Sequence, residues 1–95
     1  MELAKQLSIL GDASRLEQLA FIRTHPGATL QDMLDALATR DQSPYGPDAL
    51  KFRRSLTQME AIGVIYRETE GRAYTYFFSD AVWKQLVVAL QLLSG

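Results

Sequence analysis

Cationic and polar side chains are concentrated in one predicted helix in the second half of the chain. Residues 48–58 hold three cations and a single acid, Asp48, which gives this segment a net charge of +2 in a chain of net charge −1. Arginine can grip the O6 and N7 atoms of guanine, and lysine and glutamine can also contact base edges. The spacing favours a DNA-contacting helix face over the alternative, three solvated cations on an exposed helix. Its candidate residues are Lys51, Arg53, Arg54, Ser55 and Gln58.

Two more arginines belong to the predicted hairpin that follows this helix. Arg72 comes just after the turn and Arg67 lies on the opposite strand, where a cation can hold a phosphate or enter a narrow minor groove. Glu68 and Glu70 flank the same tip and repel phosphate, so an ordinary polar hairpin is an equally good interpretation.

Several other chemistries are excluded or find no support. The chain has no cysteine and a single histidine, His25, so disulfides, thiolate metal sites and clusters of histidine ligands are ruled out. No phosphate-binding loop, nucleophile elbow or metal motif is present. We therefore expect no catalytic residues, no metal and no cofactor, and we predict that the protein is not an enzyme.

Composition bounds the architecture. The 95 residues are 47% hydrophobic and 22% charged, which predicts one globular domain over residues 1–95. No stretch approaches the roughly 20 apolar residues that cross a bilayer, and the start lacks the pattern of a signal peptide. We expect a cytoplasmic protein without a membrane partner. Its pI of 5.7 means that any DNA surface depends on local charge asymmetry.

Hydrophobic periodicity and turn residues divide the chain into helices and one strand pair. Apolar stripes are expected at Leu16, Leu19, Ala20 and Ile22, and again at Ala49, Phe52, Leu56 and Met59. Helices are predicted at 3–10, 13–25, 29–39, 47–62 and 81–93, with a loop at 40–47, strands at 64–69 and 72–78, and a turn at 70–71.

The predicted boundaries carry local signals. Thr29 with Asp32 forms a short capping-box pattern, Pro47 suits the first turn of a helix, and Gly63 suits a helix end. Leu50 is apolar on the predicted outer face, where packing under the 40–47 loop is favoured over contact with a thymine methyl group. The element order predicts a mainly α fold with a β-hairpin, the winged-helix arrangement.

The last predicted helix is apolar almost all the way round. Such a helix must be buried on most faces, and a domain of this size cannot cover it alone. We favour a subunit interface that buries the remaining faces of this helix, with Trp83 as its candidate anchor. The alternative is packing within one chain.

Four segments resemble the ArsR-type winged helix-turn-helix regulators. Residues 7–19 (LSILGDASRLEQL) resemble the opening of these proteins, and residues 32–37 (DMLDAL) resemble their first DNA-binding helix. Residues 52–65 and 70–77 are similar to their recognition helix and wing. The resemblance implies a helix-turn-helix at 29–62, a wing at 64–78 and dimerisation through helices 3–10 and 80–93. The implied dimer residues are Leu3, Leu7, Leu10, Trp83, Val87 and Leu90.

This sequence departs from the family pattern in two respects. Thr29 and Gln31 stand where the family's thiolate pair would be, and the last helix has no histidine, so metal sensing by those routes is not expected and any effector is unknown. The eight-residue loop 40–47 lengthens the family's tight turn, and it could either contact DNA or block its approach.

These observations predict a homodimer that binds double-stranded DNA sequence-specifically and represses transcription by occluding a promoter. The alternative is a winged-helix module that binds another protein and lacks specific DNA binding. The overall acidity and the two glutamates at the hairpin tip favour that alternative.

Overall fold

A computed structural model describes the backbone of residues 3–94 and the side chains of residues 4–93. Five helices and one hairpin follow the predicted order. The elements are α1 (Leu3–Leu10), α2 (Ala13–Thr24), α3 (Leu30–Leu37), α4 (Pro47–Ala61), β1 (Ile65–Glu70), β2 (Ala73–Phe78) and α5 (Asp80–Ser94).

The helix boundaries are set by the capping residues that the sequence contains. Asp12 caps α2 by accepting hydrogen bonds from the backbone N–H groups of Ser14 (2.8 Å) and Arg15 (3.3 Å). Thr29 and Asp32 form a complete capping box at the start of α3, which confirms the predicted pattern.

Both ends of α4 also follow the sequence signals. Pro47 occupies the first turn, and Gly63 follows the helix with φ +84°, a conformation that residues with a Cβ rarely adopt. The path into the hairpin is therefore fixed by a glycine immediately after α4.

The hairpin turn lies one residue later than predicted. Glu70 pairs with Ala73, so the loop residues are Gly71 and Arg72. Gly71 has φ +63°, whereas no residue other than glycine within 3–94 has a positive φ, which matches a type II′ turn with glycine first. The predicted turn at 70–71 would put glycine second and require positive φ at Glu70, which costs an L-residue more than glycine.

A third short pairing, absent from the sequence prediction, extends the hairpin. The N–H of Gly27 donates to the carbonyl of Tyr76, and the N–H of Tyr76 donates to the carbonyl of Ala28, both at 2.9 Å. This isolated bridge joins the segment before α3 to β2 and thereby fixes the hairpin relative to the helices.

The core lies between the helices and the base of the hairpin. Its largest fully buried side chains include Ile22, Met33, Leu56 and Met59. The predicted stripe of α4 is confirmed, since all its members are buried.

The predicted stripe of α2 is partly wrong. Leu19 and Ile22 are buried, but Leu16 is 41% exposed and Ala20 is exposed as well. Gln18, expected outside with the other polar residues, is only 1% exposed. It lies four residues before Ile22, and residues four apart share one helix face.

Candidate nucleic-acid interface

The outer face of α4 presents most of the predicted contact residues. Lys51, Arg54 and Gln58 are exposed, and their spacing of three and four residues places them on one face of the helix. Arg53 is exposed beside them. Within residues 3–94, none of these three cations forms an ion pair, so their charges are available to an external anion.

The exposure of two α4 residues differs from what the sequence predicted. Ser55 is 5% exposed, because it lies three residues after Phe52 and four before Met59 on the buried side of the helix, so it offers almost no surface to DNA. Leu50, expected to pack under the 40–47 loop, is 51% exposed on the same outer surface as the cations. The outer face of α4 is therefore a mixed surface of cations and one leucine.

The structure brings three of the predicted arginines together in one groove. Arg53 on α4, Arg67 on β1 and Arg72 at the hairpin turn line a groove of about 580 Å³ between α4, the start of α3 and the hairpin. Thr29 and Gln31, at the start of α3, lie on its rim. Threonine and glutamine side chains and arginines are the groups that commonly bind the phosphate and sugar of DNA.

Arg67 is already engaged within the chain. Its Nε lies 3.2 Å from Oε1 of Glu60, and its guanidinium carbon lies 4.3 Å from the ring centre of Tyr74. The side chain is still 46% exposed. Arg67 therefore links the hairpin to the last turn of α4 and keeps part of its surface open to the groove.

Arg72 is exposed at the hairpin tip and forms no ion pair within residues 3–94. Glu68 and Glu70 are exposed near it, as the sequence predicted. The tip therefore combines one arginine with two acids, and the two carboxylates partly offset the attraction of Arg72 for phosphate.

The 40–47 loop has a defined conformation that Asp48 maintains. The Oδ2 atom of Asp48 accepts hydrogen bonds from the backbone N–H groups of Arg40 and Asp41, both at 3.1 Å. The hydrogen bond from Asp41 and then that from Arg40 hold the pKa of the Asp48 carboxyl below its ordinary value, against the opposing effect of burial.

Two glutamines attach the same loop to α3. The amide nitrogen of Gln31 donates to the carbonyl of Gln42 at 3.0 Å, and that of Gln42 donates to the carbonyl of Asp35 at 3.2 Å. Pro44 reaches the arginine-lined groove, and Tyr45 is 91% exposed just before α4. The loop thus lies against α3 and leaves the outer face of α4 exposed.

A second, apolar surface lies between α1, α2 and α5. It forms a groove of about 280 Å³. Farther along α5, Leu92 and Leu93 are 78% and 68% exposed. The groove is lined by Leu7, Leu10, Gly11, Leu16, Trp83, Leu86, Val87 and Leu90.

The residues predicted for dimerisation differ in how much surface they offer. Leu90 is 43% exposed, and Leu7, Trp83 and Val87 are half-buried. Leu10 is only 8% exposed and belongs to the core of its own chain, so it has little surface left for a partner. The side chain of Leu3 lies outside the described residues.

Several groove residues were not among the site residues predicted from the sequence. Thr57 and Tyr74 line the arginine-lined groove, and Leu16 lines the apolar one. Thr57 lies four residues after Arg53, which places the two on one helix face and could have indicated it. Tyr74 has no such signal, since its position depends on the hairpin register.

The described residues were also searched for metal-binding groups and for helices that could span a membrane. Within residues 3–94, no group of three or more histidine, aspartate or glutamate side chains is arranged to hold a metal ion. In the same range, every helix is too short or too polar to cross a bilayer.

Comparison with known proteins identifies the fold. The exposed helix α4, preceded by α3 and followed by a hairpin, has the winged-helix arrangement. Comparisons of the sequence with family models and with curated proteins gave no match. Among solved structures, the chain is similar to an ArsR-like transcriptional regulator from Rhodococcus sp. RHA1, with a TM-score of 0.67. The alignment covers 97% of this chain and 78% of that chain at 23% identity, and it confirms the predicted ArsR-type fold.

Proposed function

We propose that this protein is a sequence-specific double-stranded DNA-binding transcriptional regulator that acts as a homodimer and represses by occluding a promoter. The observation that carries the proposal is the placement of exposed cations on the outer face of α4, next to a groove lined by Arg53, Arg67 and Arg72. The fold shared with a transcriptional regulator supports the same assignment.

In the proposed complex, α4 enters the major groove. The helix has 15 residues and is about 22 Å long, so its outer face can follow several base pairs. Arg54, Lys51 and Gln58 point to base edges, where arginine is the best-shaped group for guanine. Arg53 and Arg72 contact the flanking backbone, and phosphate contacts of this kind fix the register of a protein on DNA.

The apolar surface on α1 and α5 is the proposed dimer contact. A contiguous exposed apolar patch on a soluble domain indicates an interaction site, and a symmetric dimer pairs the same patch on both copies. Trp83 and Leu90 are the proposed centre of this contact. Two copies of α4 would then read half-sites about 34–36 Å apart, one turn of DNA.

Selection of random-sequence duplexes by the purified protein, followed by sequencing, tests the DNA assignment. An enriched inverted repeat with half-sites one turn apart supports both sequence reading and the symmetric dimer. Recovery of no motif, with only weak salt-sensitive binding, contradicts the proposal.

The second candidate function is a protein-interaction module. The exposed pair Glu68 and Glu70 at the hairpin tip favours it, because these carboxylates repel phosphate and can attract a basic partner. This second function predicts that the protein binds no duplex at low salt. The same selection, run at low salt, measures duplex binding.

A further inference from the structure

A third groove, which we call the α2–α5 groove, lies between α2, the end of β2 and the start of α5. It has a volume of about 320 Å³. Small-molecule sites in proteins have volumes of about 300–1,000 Å³, with mostly apolar walls and a few polar groups that orient the ligand. Apolar side chains form most of the lining here, namely Leu16, Leu19, Ala20, Phe78 and Trp83. The size and lining of the groove therefore suit a small organic molecule.

Two aromatic rings form one wall of the α2–α5 groove. The ring centres of Phe78 and Trp83 lie 6.0 Å apart, and their planes are tilted by 54°. Both side chains are half-buried, so each keeps part of its surface open. Aromatic rings pack well edge to face or with an offset. This wall therefore favours a ligand with an apolar body, and an aromatic ring in particular.

Arg23 is the one charged residue among those that line the groove. It is exposed, and it forms no hydrogen bond or ion pair within residues 3–94. Its guanidinium carbon lies 5.3 Å from the ring centre of Phe78, which places the cation against the aromatic wall. The hydroxyl of Thr24, the other polar lining residue, already donates to the carbonyl of Ala20 at 3.1 Å. The available cation of the groove is therefore an arginine, whose planar fork of N–H donors matches a carboxylate.

The cation and the apolar surface are arranged along one line. Arg23 lies seven residues after Leu16 on α2, which is about 10 Å along the helix axis. Helical side chains lean toward the N-terminus of their helix, so the arginine stem leans toward the apolar part of the groove. A ligand that matches this arrangement has one anionic end and a short apolar body.

We propose that the α2–α5 groove binds a small monocarboxylate with an apolar body. The carboxylate accepts two N–H hydrogen bonds from the guanidinium of Arg23, and the body lies against Leu16, Phe78 and Trp83. An alcohol with the same body fills the groove but lacks the charge-assisted pair, and an amine is repelled by the arginine.

The position of the groove places its ligand beside the proposed dimer contact. Leu16 and Trp83 line both the α2–α5 groove and the apolar groove between α1, α2 and α5. Leu90 lines only the latter. The carboxylate site is therefore complete within one chain and shares a wall with the surface assigned to the partner copy.

Binding of 3-phenylpropanoate to the purified, DNA-free protein tests the site. The matched probe is 3-phenylpropan-1-ol, which keeps the ring and chain and replaces the carboxylate by a hydroxyl. Trp83 is the only tryptophan of the chain, so its fluorescence, excited where neither probe absorbs, reports on the groove itself. We expect the acid to bind with a Kd of order 1 mM and at least about fivefold more tightly than the alcohol.

Two single-charge variants test the role of Arg23. Arg23→Gln is expected to weaken binding of the acid at least about fivefold, to the level of the alcohol, and to leave binding of the alcohol unchanged. Lys84→Gln is the control, because it removes the same charge from an exposed residue next to Trp83 that does not line the groove. It should change the affinity for the acid by less than about twofold, since distant exposed charges are screened.

Three outcomes overturn the proposal. An unchanged Trp83 signal at probe concentrations about tenfold above the expected Kd excludes the site. Equal affinity for the two probes, or equal losses from the two charge variants, excludes recognition of the carboxylate by Arg23. Loss of acid binding in Leu90→Glu would place the probe at the subunit contact, whereas we expect this variant to bind it as the wild type does. Because no DNA is present, none of these results bears on the DNA assignment.

Discussion

Arg67 Nε and Glu60 Oε1 lie 3.2 Å apart, which ties the first strand of the hairpin to the last turn of α4. The pair joins the two elements that the proposed DNA complex needs at a fixed distance. It also places an acidic group beside a groove that would otherwise hold three unopposed arginines.

Glu60→Gln is expected to strengthen duplex binding. The substitution removes the negative charge and frees Arg67 for phosphate, so we expect affinity to rise roughly threefold with a steeper salt dependence. Stability should change by less than about 1 kcal/mol, because the pair is partly exposed and screened. Fluorescence anisotropy at several salt concentrations measures the first effect and thermal denaturation the second. Weaker duplex binding at unchanged stability would mean that the pair serves to position the hairpin.

The arginines of α4 provide the most direct test of the interface. Arg53→Ala with Arg54→Ala should lower duplex affinity at least about tenfold and reduce the salt slope by about one for each phosphate that the variant no longer binds. The charge-matched control is Arg23→Ala with Lys84→Ala, which removes the same charge from α2 and α5. Equal losses of affinity for the two double variants would show that net charge, and not the α4 surface, determines binding.

Periodicity and capping residues predicted most of the fold. The apolar repeat of α4, the Thr29–Asp32 capping box and the glycine at position 63 each depend on residues close in sequence, and each is confirmed. One omission occurs where elements that are distant in sequence determine the pairing. Ala28 pairs with Tyr76, an interaction across about half the chain that leaves no local pattern.

The sequence predicted which residue types form the candidate site, and the structure corrected their exposure and relative positions. Lys51, Arg53 and Arg54 are exposed as predicted, but Ser55 turns inward because the core stripe of α4 is wider than its four apolar members. The groove that joins Arg53 to Arg72 depends on how the hairpin packs against the helices, which composition cannot specify. Gln18 was missed because its polar type suggested an outward position, although its spacing to Ile22 indicated the buried face.

Asp48 gives the fold a dependence on pH. Its pKa is held below the unfolded value, so the folded state favours the carboxylate, and the associated stability is present above the unfolded pKa of about 4. That stability is lost as the pH falls through the lower, folded pKa. We expect the melting temperature to fall in this acidic range, and Asp48→Asn to lower it at neutral pH while flattening its acid dependence.

Melting curves between about pH 2 and pH 7 measure this dependence for both proteins. Asp35→Asn is the control, because this exposed carboxylate accepts a side-chain hydrogen bond from Gln31 and none from the backbone of the 40–47 loop. An Asp48→Asn variant that keeps the wild-type acid profile would assign the pH dependence to other carboxylates.

Leu90 and Leu50 form a matched pair for testing the dimer. They are 43% and 51% exposed, and they lie on α5 and α4 respectively. Leu90→Glu should place a charge in the proposed apolar contact, where an unpaired charge is costly to bury, and should shift the protein to a monomer. Leu50→Glu adds the same charge to the α4 face, so it should leave the dimer intact and weaken duplex binding. Sedimentation velocity of the two variants and of the wild type separates these effects. A wild-type protein that sediments as a monomer, or a Leu90→Glu variant that remains dimeric, would contradict the assignment of α5 to the dimer.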